Sequence, residues 1–195
     1  SSEFTYEFYI FHSGLAQVSQ DLIKNNQAYR RYANYAINFV DVSRNIENAG
    51  FYSQDRFSVE TWFRLLIPEI LHKYDKILYL DCDLIVQQNI ADLFQTDLGN
   101  NCIASVRDFV GVKPKDLNRI VGLGVEPEKY FNSGVLLFNV KVCNELGLKN
   151  KSLSTLNTVK GLDCPDQDIL NIVCKNHVLL LDAKWNYMWH LLLYQ

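Results

Sequence analysis

The ten residues from Lys76 to Ile85, Lys-Ile-Leu-Tyr-Leu-Asp-Cys-Asp-Leu-Ile, carry the densest chemistry in the chain. An apolar β-type run, Ile77-Leu78-Tyr79-Leu80, delivers two carboxylates, Asp81 and Asp83, with one small residue between them. Carboxylates are depleted in strand interiors, so the pair marks the strand's carboxyl end. A run this apolar predicts a strand buried on both faces, as in a parallel sheet. In open α/β sheets that edge is where ligands bind. Two ionised carboxylates held together repel, and a hard divalent cation relieves the repulsion by taking both as oxygen ligands. A polar turn that happens to hold two aspartates is the plainer alternative, and the pair alone does not choose between them.

Further polar groups fall where an apolar run ends or a helical pattern begins. These are Asp108 after Cys102–Val106, Asn132 with Ser133 before Val135–Phe138, and Asp166 with Gln167 and Asp168 ahead of an apolar helix face. If the strand ends gather on one edge of the sheet, all of them surround one crevice, and so many such groups in a small sheet favour an active site. Each has a plainer reading too. Asn132-Ser133-Gly134 suits a turn, Asp166 suits a helix cap, and Asp108 suits a pair with Arg107 or with a neighbouring loop. Arg64 suits a surface arginine whose stem lies along apolar surface while its head stays in water.

Positioning these groups takes strands alternating with helices, and the hydropathy pattern supplies them. Phe8–Phe11 and Tyr35–Val42 read as strands, and Ala16–Tyr32 sets Val18, Leu22, Ile23 and Tyr29 at helical spacing. The polar stretch to Arg56 reads as loop. Ser58 is placed to cap a helix carrying Trp62, Leu65, Leu66, Ile70 and Leu71, which Pro68 should kink or divide. Beyond the aspartates, Leu84-Ile85-Val86 continues in extended form and Asn89–Phe94 reads as one helical turn. Lys113–Glu128, with two Pro and two Gly, reads as mobile surface structure. Asn139–Pro165 is polar and partly helical, Gln167–Cys174 is a helix with Ile169, Leu170 and Val173 on its apolar face, and Val178–Leu181 is the last strand. The pattern predicts an α/β fold with a mostly parallel central sheet flanked by helices.

Composition narrows the function classes. With 19 Lys+Arg against 22 Asp+Glu in 195 residues, the net charge of −3 offers no general affinity for nucleic acid or an anionic membrane. A phosphate-bearing ligand must therefore be met locally, by a metal or a few basic groups. The five cysteines, Cys82, Cys102, Cys143, Cys164 and Cys174, are scattered without a Cys-x-x-Cys pair. That argues against a disulfide framework or zinc site and for a reducing compartment. No apolar run approaches bilayer-spanning length. Ser-Ser-Glu-Phe at the start does not read as a signal peptide.

Taken in order, four segments resemble glycosyltransferase family 8, the retaining enzymes that include lipopolysaccharide galactosyl- and glucosyltransferases and glycogenin. They are Arg56–Leu65 (Arg-Phe-Ser-Val-Glu-Thr-Trp-Phe-Arg-Leu), Lys76–Asp83, Tyr130–Asn139 (Tyr-Phe-Asn-Ser-Gly-Val-Leu-Leu-Phe-Asn) and Asp166–Asn171 (Asp-Gln-Asp-Ile-Leu-Asn), within a likeness running from Phe8 to Trp189. The resemblance implies a Rossmann-like GT-A fold and transfer of a galactose or glucose from a UDP-sugar donor to a saccharide or glycolipid acceptor. It implies that Asp81 and Asp83 bind manganese, or magnesium in its place, which grips the donor diphosphate, with Asp81 also near the ribose. Arg64, Asp108, Asn132, Ser133, Asp166 and Gln167 match positions lining the donor-sugar pocket. Gln167 matches a residue on the sugar's reacting face, where it stabilises an oxocarbenium-like intermediate or acts as nucleophile. Asp166 is the residue expected to orient the donor hydroxyls, with Asp108 next. Retention usually signals a carboxylate nucleophile, but the family has no obvious one, and same-face substitution is the mechanism the resemblance implies.

Two parts of that pattern are missing. One is a first strand and turn that hold the uracil and ribose; the other is a His-x-x-Gly segment and a Lys-Pro-Trp-like run beyond the last strand. His12, His72, His177 and His190 do not stand in such a segment and read as structural or surface residues. The expectation is thus one catalytic domain over residues 1–195, lacking its first nucleotide-binding strand and its C-terminal metal-ligand segment, with donor binding weakened accordingly. Lys113–Glu128 is the candidate acceptor-facing region. A cytoplasmic location follows, with peripheral contact at the inner membrane face for the full-length protein. The alternatives are a binding module without turnover and a haloacid dehalogenase-type phosphatase, although the latter wants Thr or Val where Ile85 stands.

Overall fold

The computed structural model describes residues 4–27, 34–51, 57–108 and 114–188. The chain divides into two compact units, Ser1–Phe63 and Arg64–Gln195. Arg56, Lys113, His190 and the Tyr29–Tyr32 end of the first expected helix lie outside the described residues.

In the first unit β1 (Tyr6–His12) pairs in parallel with β2 (Tyr35–Asp41), in register from Tyr6 opposite Tyr35 to His12 opposite Asp41. Parallel pairing demands a crossover, and α1 (Gln17–Lys24) lies in it. α1 buries no residue and leaves Val18 and Leu22 exposed, so its apolar stripe is uncovered. The stretch expected to be loop contains α2 (Ser43–Ala49), which buries Ile46 and Ala49. An apolar pair three residues apart is enough to seat a short, otherwise polar helix. Ser58 precedes a 3₁₀ turn, Val59–Trp62, without a side-chain cap bond. Trp62 stacks on Phe51 with ring centroids 5.5 Å apart.

The second unit is built on a four-stranded sheet in the order β3 (Lys76–Leu80), β5 (Val135–Asn139), β4 (Ile103–Val106), β6 (Val178–Leu181). β4 and β6 pair in parallel, whereas β5 is antiparallel to both β3 and β4. Three strands therefore share one direction and β5 alone runs against them. The sheet is mostly parallel in strand direction and mixed in its hydrogen-bonded ladders. One expectation is corrected here: β3 is an edge strand, half-buried along its whole length and bonded antiparallel. The strands buried on both faces are β4 and the Val135–Phe138 part of β5.

The reversal of β5 assembles the site. Residues preceding a parallel strand would emerge at the edge opposite Asp81 and Asp108. A reversed strand instead begins where its neighbours end. Asp81 N donates to Gly134 O at 2.9 Å and Asn132 N to Val106 O at 2.9 Å, extending the ladders past the strand ends. Ser105, buried in β4, secures the turn by donating to Asn132 O at 2.6 Å and Val135 O at 3.0 Å.

Around the sheet, α3 (Phe63–Ile70) is a single helix with Pro68 inside it, so of the two expected effects of the proline, kinking or dividing, division does not occur. Leu84-Ile85-Val86 belongs to no strand, and Ile85 and Val86 are exposed. Asn89 caps α4 (Ile90–Phe94) by accepting from Ala91 N. The region read as mobile surface holds α5 (Pro114–Gly122) and a 3₁₀ turn at Pro127–Lys129. Its Ile120 and Val125 are buried with Tyr130 against Leu123 and Ile172, an anchor that its two Pro and two Gly concealed. α6 (Val140–Leu146), α7 (Leu148–Thr158) and α8 (Pro165–Cys174) complete the unit, with α7 packed along α8. All five cysteines are free. Among the described residues no helix is long and apolar enough to cross a membrane.

Candidate active site

One guanidinium organises the edge where β3 and β4 end and β5 begins. Arg64, carried by α3, sets Nη2 3.0 Å from Asp81 Oδ1 and Nε 3.1 Å from Asp166 Oδ2. The Nε contact is a charge contact, not an aligned hydrogen bond. Its Nη1 donates to Ser133 O at 2.8 Å and Ser133 Oγ at 3.0 Å. The group lies over the Tyr79 ring, 4.9 Å from its centroid, and Tyr79 donates its hydroxyl proton to Asp81 Oδ1. The Arg64 side chain is 12% exposed, so its head is not in water. Burial opposes its charge, but the carboxylates of Asp166 and Asp81 outweigh that cost and hold its proton more tightly than usual.

Asp166 is buried and accepts from Ser133 Oγ at 3.0 Å. The helix-cap reading of Asp166 is corrected: α8 begins one residue earlier, at Pro165, and Asp168 satisfies the preceding backbone. Asp168 Oδ2 accepts Asp163 N at 2.9 Å and Cys164 N at 3.2 Å. Asp166 is thereby left to the site. The rest of α8's first turns tie down the segment before β5. Gln167 Oε1 accepts Ser133 N at 3.0 Å, Asp168 Oδ1 accepts the Tyr130 hydroxyl at 2.6 Å, and Asn171 brackets Phe131 through both its N–H and C=O.

A line of side-chain amides completes the arrangement. Gln167 Nε2 donates to Asp108 Oδ2 at 2.9 Å, and Asn132 Nδ2 donates to the same oxygen at 3.2 Å. Asn132 Oδ1 accepts Gly134 N and Asn186 Nδ2, each at 2.8 Å. Asp108 is only 4% exposed and accepts both of these amides.

The aspartates after β3 divide their work. Asp83 and Cys82 sit on an exposed turn, whereas Asp81 is half-buried. Burial pushes the Asp81 carboxyl above its usual range; Arg64 and Tyr79 pull it down, and the charges of Asp83 and Asp166 push it further up. Its Oδ2 has room only because position 134 lacks a Cβ, which would stand 2.9 Å away. The carboxylates of Asp81 and Asp83 are hard oxygen donors, a donor type that suits manganese or magnesium. Among the described residues no group of three His, Cys, Asp or Glu side chains converges on a metal position, and His12, His72 and His177 join none.

The profile of Glycosyl transferase family 8 matches residues 1–195. The chain belongs to this family. Glycosyltransferase GlyA of Streptococcus pneumoniae serotype 4 is 31% identical over 93% of the chain and 24% of its own length. A lipopolysaccharide 1,2-glucosyltransferase of Escherichia coli is 32% identical over 64% of the chain and 37% of its own length. The chain thus spans well under half the length of these relatives. Galactosyltransferase LgtC, solved with donor and acceptor sugar analogues, superposes with a TM-score of 0.82 at 28% identity, covering 99% of the chain and 68% of LgtC.

As a member of family 8 the chain has the GT-A fold of the glycosyltransferases it resembles, and the phosphatase alternative falls. Arg64, Asp81, Asp108, Asn132, Ser133, Asp166 and Gln167 all fall in one connected network. Asp83 stands beside it on the exposed turn. Three participants escaped the sequence reading. Tyr79 shares a strand face with Asp81 by the two-residue period, a signal that was present. Ser105 is masked inside an apolar strand, and Asn186, past the last strand, has no pattern to announce it.

Proposed function

We propose that the protein transfers a hexose, galactose or glucose, from a UDP-sugar to a saccharide or lipopolysaccharide-type acceptor with retention of configuration, using manganese or magnesium. The observation that carries this reading is the Arg64 network, which joins Asp81 to Asp166 at a single sheet edge. Asp81 and Asp83 would hold the cation, and when bound it supplies positive charge to the departing diphosphate. Asp166, with one oxygen fixed by Arg64 and Ser133, orients donor hydroxyls. Gln167, its oxygen on Ser133 N and its nitrogen on Asp108, is held in one amide orientation, and in this reading it stands at the sugar's reacting face. Asn132 and Asp108 line the same pocket. For the full-length protein, peripheral contact with a membrane carrying a glycolipid acceptor belongs to the same reading.

The test is UDP release from a panel of UDP-sugars by the full-length protein with manganese. At least one UDP-hexose should be turned over, chelation should stop it, and Asp83→Ala should lower the rate by about 100-fold or more while melting normally. A chain that turns over no UDP-sugar sinks the donor assignment. A near-normal Asp83→Ala rate sinks the metal assignment.

A further inference from the structure

We propose that Asn186 is a positioning residue of the active site, holding the Asn132 side-chain amide, and through Asp108 that of Gln167, in the orientation the chemistry uses. It is 8% exposed and follows the 3₁₀ turn Ala183–Trp185 beyond β6. Asp182 caps that turn by accepting Lys184 N at 2.9 Å, and Asn186, just after it, reaches Asn132 in the turn before β5. This inference rests on the transferase reading above, and it adds a residue to that site.

The argument is one of donor and acceptor types. A terminal amide can be rotated half a turn with almost no change of shape, so only its partners decide which end is oxygen. Asn132 Oδ1 meets two donors, the Gly134 N–H and Asn186 Nδ2, each at 2.8 Å. Asn132 Nδ2 meets an acceptor, Asp108 Oδ2, at 3.2 Å. Gln167 is fixed in the same manner, its oxygen on the Ser133 N–H at 3.0 Å and its nitrogen on that same Asp108 oxygen at 2.9 Å. Both amides thus end on one carboxylate oxygen. Asn186 is the outer member of this line and the one part of it supplied from beyond β6. It secures Asn132, and Asn132 shares with Gln167 the oxygen that aims the Gln167 amide.

The decisive substitution is the isosteric one. Asn186→Ala removes a donor and leaves Asn132 held by Gly134 and Asp108. Asn186→Asp keeps the shape but sets an acceptor against Asn132 Oδ1. Relieving that clash by rotating Asn132 would oppose its oxygen to Asp108 and its nitrogen to the Gly134 N–H. Either orientation leaves unlike partners mismatched. A residue that merely fills space would show the reverse ranking, with Asp milder than Ala.

The experiment measures two things on wild type, Asn186→Ala and Asn186→Asp. The first is the side-chain amide resonances of Asn132 and Gln167 in protein labelled with ¹⁵N at Asn and Gln. The second is kcat for UDP release from a UDP-hexose with manganese. We expect Asn186→Ala to shift the Asn132 signals and lower kcat about tenfold, the worth of one hydrogen bond. We expect Asn186→Asp to move the signals of both residues and to lower kcat about 100-fold, with a melting temperature no lower than that of the alanine variant. Unmoved amide signals in both variants, or an aspartate variant as active as the alanine one, would overturn the assignment. If wild type releases no UDP, the transferase reading fails, and the amide resonances by themselves decide the positioning role.

Discussion

The Cβ that Gly134 lacks would stand 2.9 Å from Asp81 Oδ2 and 3.0 Å from Asn132 Oδ1. Gly134 is not among the glycines with left-handed backbone, so space, not conformation, requires glycine there. Both atoms are the ends of side chains, so Gly134→Ala should fold and push the Asp81 carboxylate aside. The expected cost is about 10–100-fold in manganese affinity, the scale seen when a ligand's supporting shell is disturbed. Calorimetric titration with manganese and UDP, beside a thermal melt, checks it. An alanine variant that binds manganese as wild type does would remove Asp81 Oδ2 from the metal site.

Arg119, on α5, directs Nη1 to both oxygens of Asp168, at 2.6 and 2.7 Å. Asp168 is fully buried and also accepts from Tyr130 and two backbone N–H groups. Removing the cation strands a charge in the interior, so Arg119→Met should cost roughly 3–5 kcal/mol of unfolding free energy. Adding Asp168→Asn to that background should return part of the loss, because the stranded charge is gone. Urea unfolding of the four proteins in the cycle reads this directly. Additive losses would mean that the pair is not coupled.

Much of this organisation could be read from residue types alone. The apolar runs at 77–80, 103–106, 135–138 and 178–181 announced their strands, and the polar groups at their ends announced the crevice. Strand direction could not be read, because an apolar run looks the same either way along the sheet. The reversed β5 is the step that local pattern does not encode, and it is the step that brings Ser133 to Asp81's edge. Short helices escaped for a related reason. α2 and α5 are held by a few buried residues each, Ile46 and Ala49 in one and Ile120 in the other, below what periodicity detects among polar neighbours. Asn186 acts through a partner remote in sequence, and only the folded chain reveals it.

In the first unit Glu60 accepts from Ser13 Oγ at 2.6 Å. That hydrogen bond, and a second from Ser58, hold the Glu60 carboxyl below its usual range despite a small opposing effect of burial. A carboxyl depressed in the folded state stabilises the fold above its ordinary value, and the gain is lost as pH falls through the lower, folded value. Glu60→Ala should therefore destabilise at neutral pH, and the gap to wild type should close in acid, below the ordinary glutamate range. The group is exposed, so the effect should stay within about 0.5 kcal/mol. Melting curves at pH 7 and in acid test the sign, and a gap that widened in acid would refute it.

Cys82 stands exposed between Asp81 and Asp83, and its reactivity reports on the strand end directly. Cys102, Cys143 and Cys174 are buried, and burial pushes the thiol of Cys164, the other exposed cysteine, up to about 11. Thiolates, not thiols, are alkylated, so Cys164 should react sluggishly at neutral pH. A limiting amount of iodoacetamide should then label Cys82 first, as mapped by mass spectrometry. The added group crowds both aspartates, so labelled protein should lose metal-dependent UDP release, and manganese with UDP should protect it. Cys82→Ser should keep its activity and resist the reagent, which separates blockage of the site from any need for the sulfur itself. Full activity after complete labelling of Cys82 would mean that this turn does not face the donor.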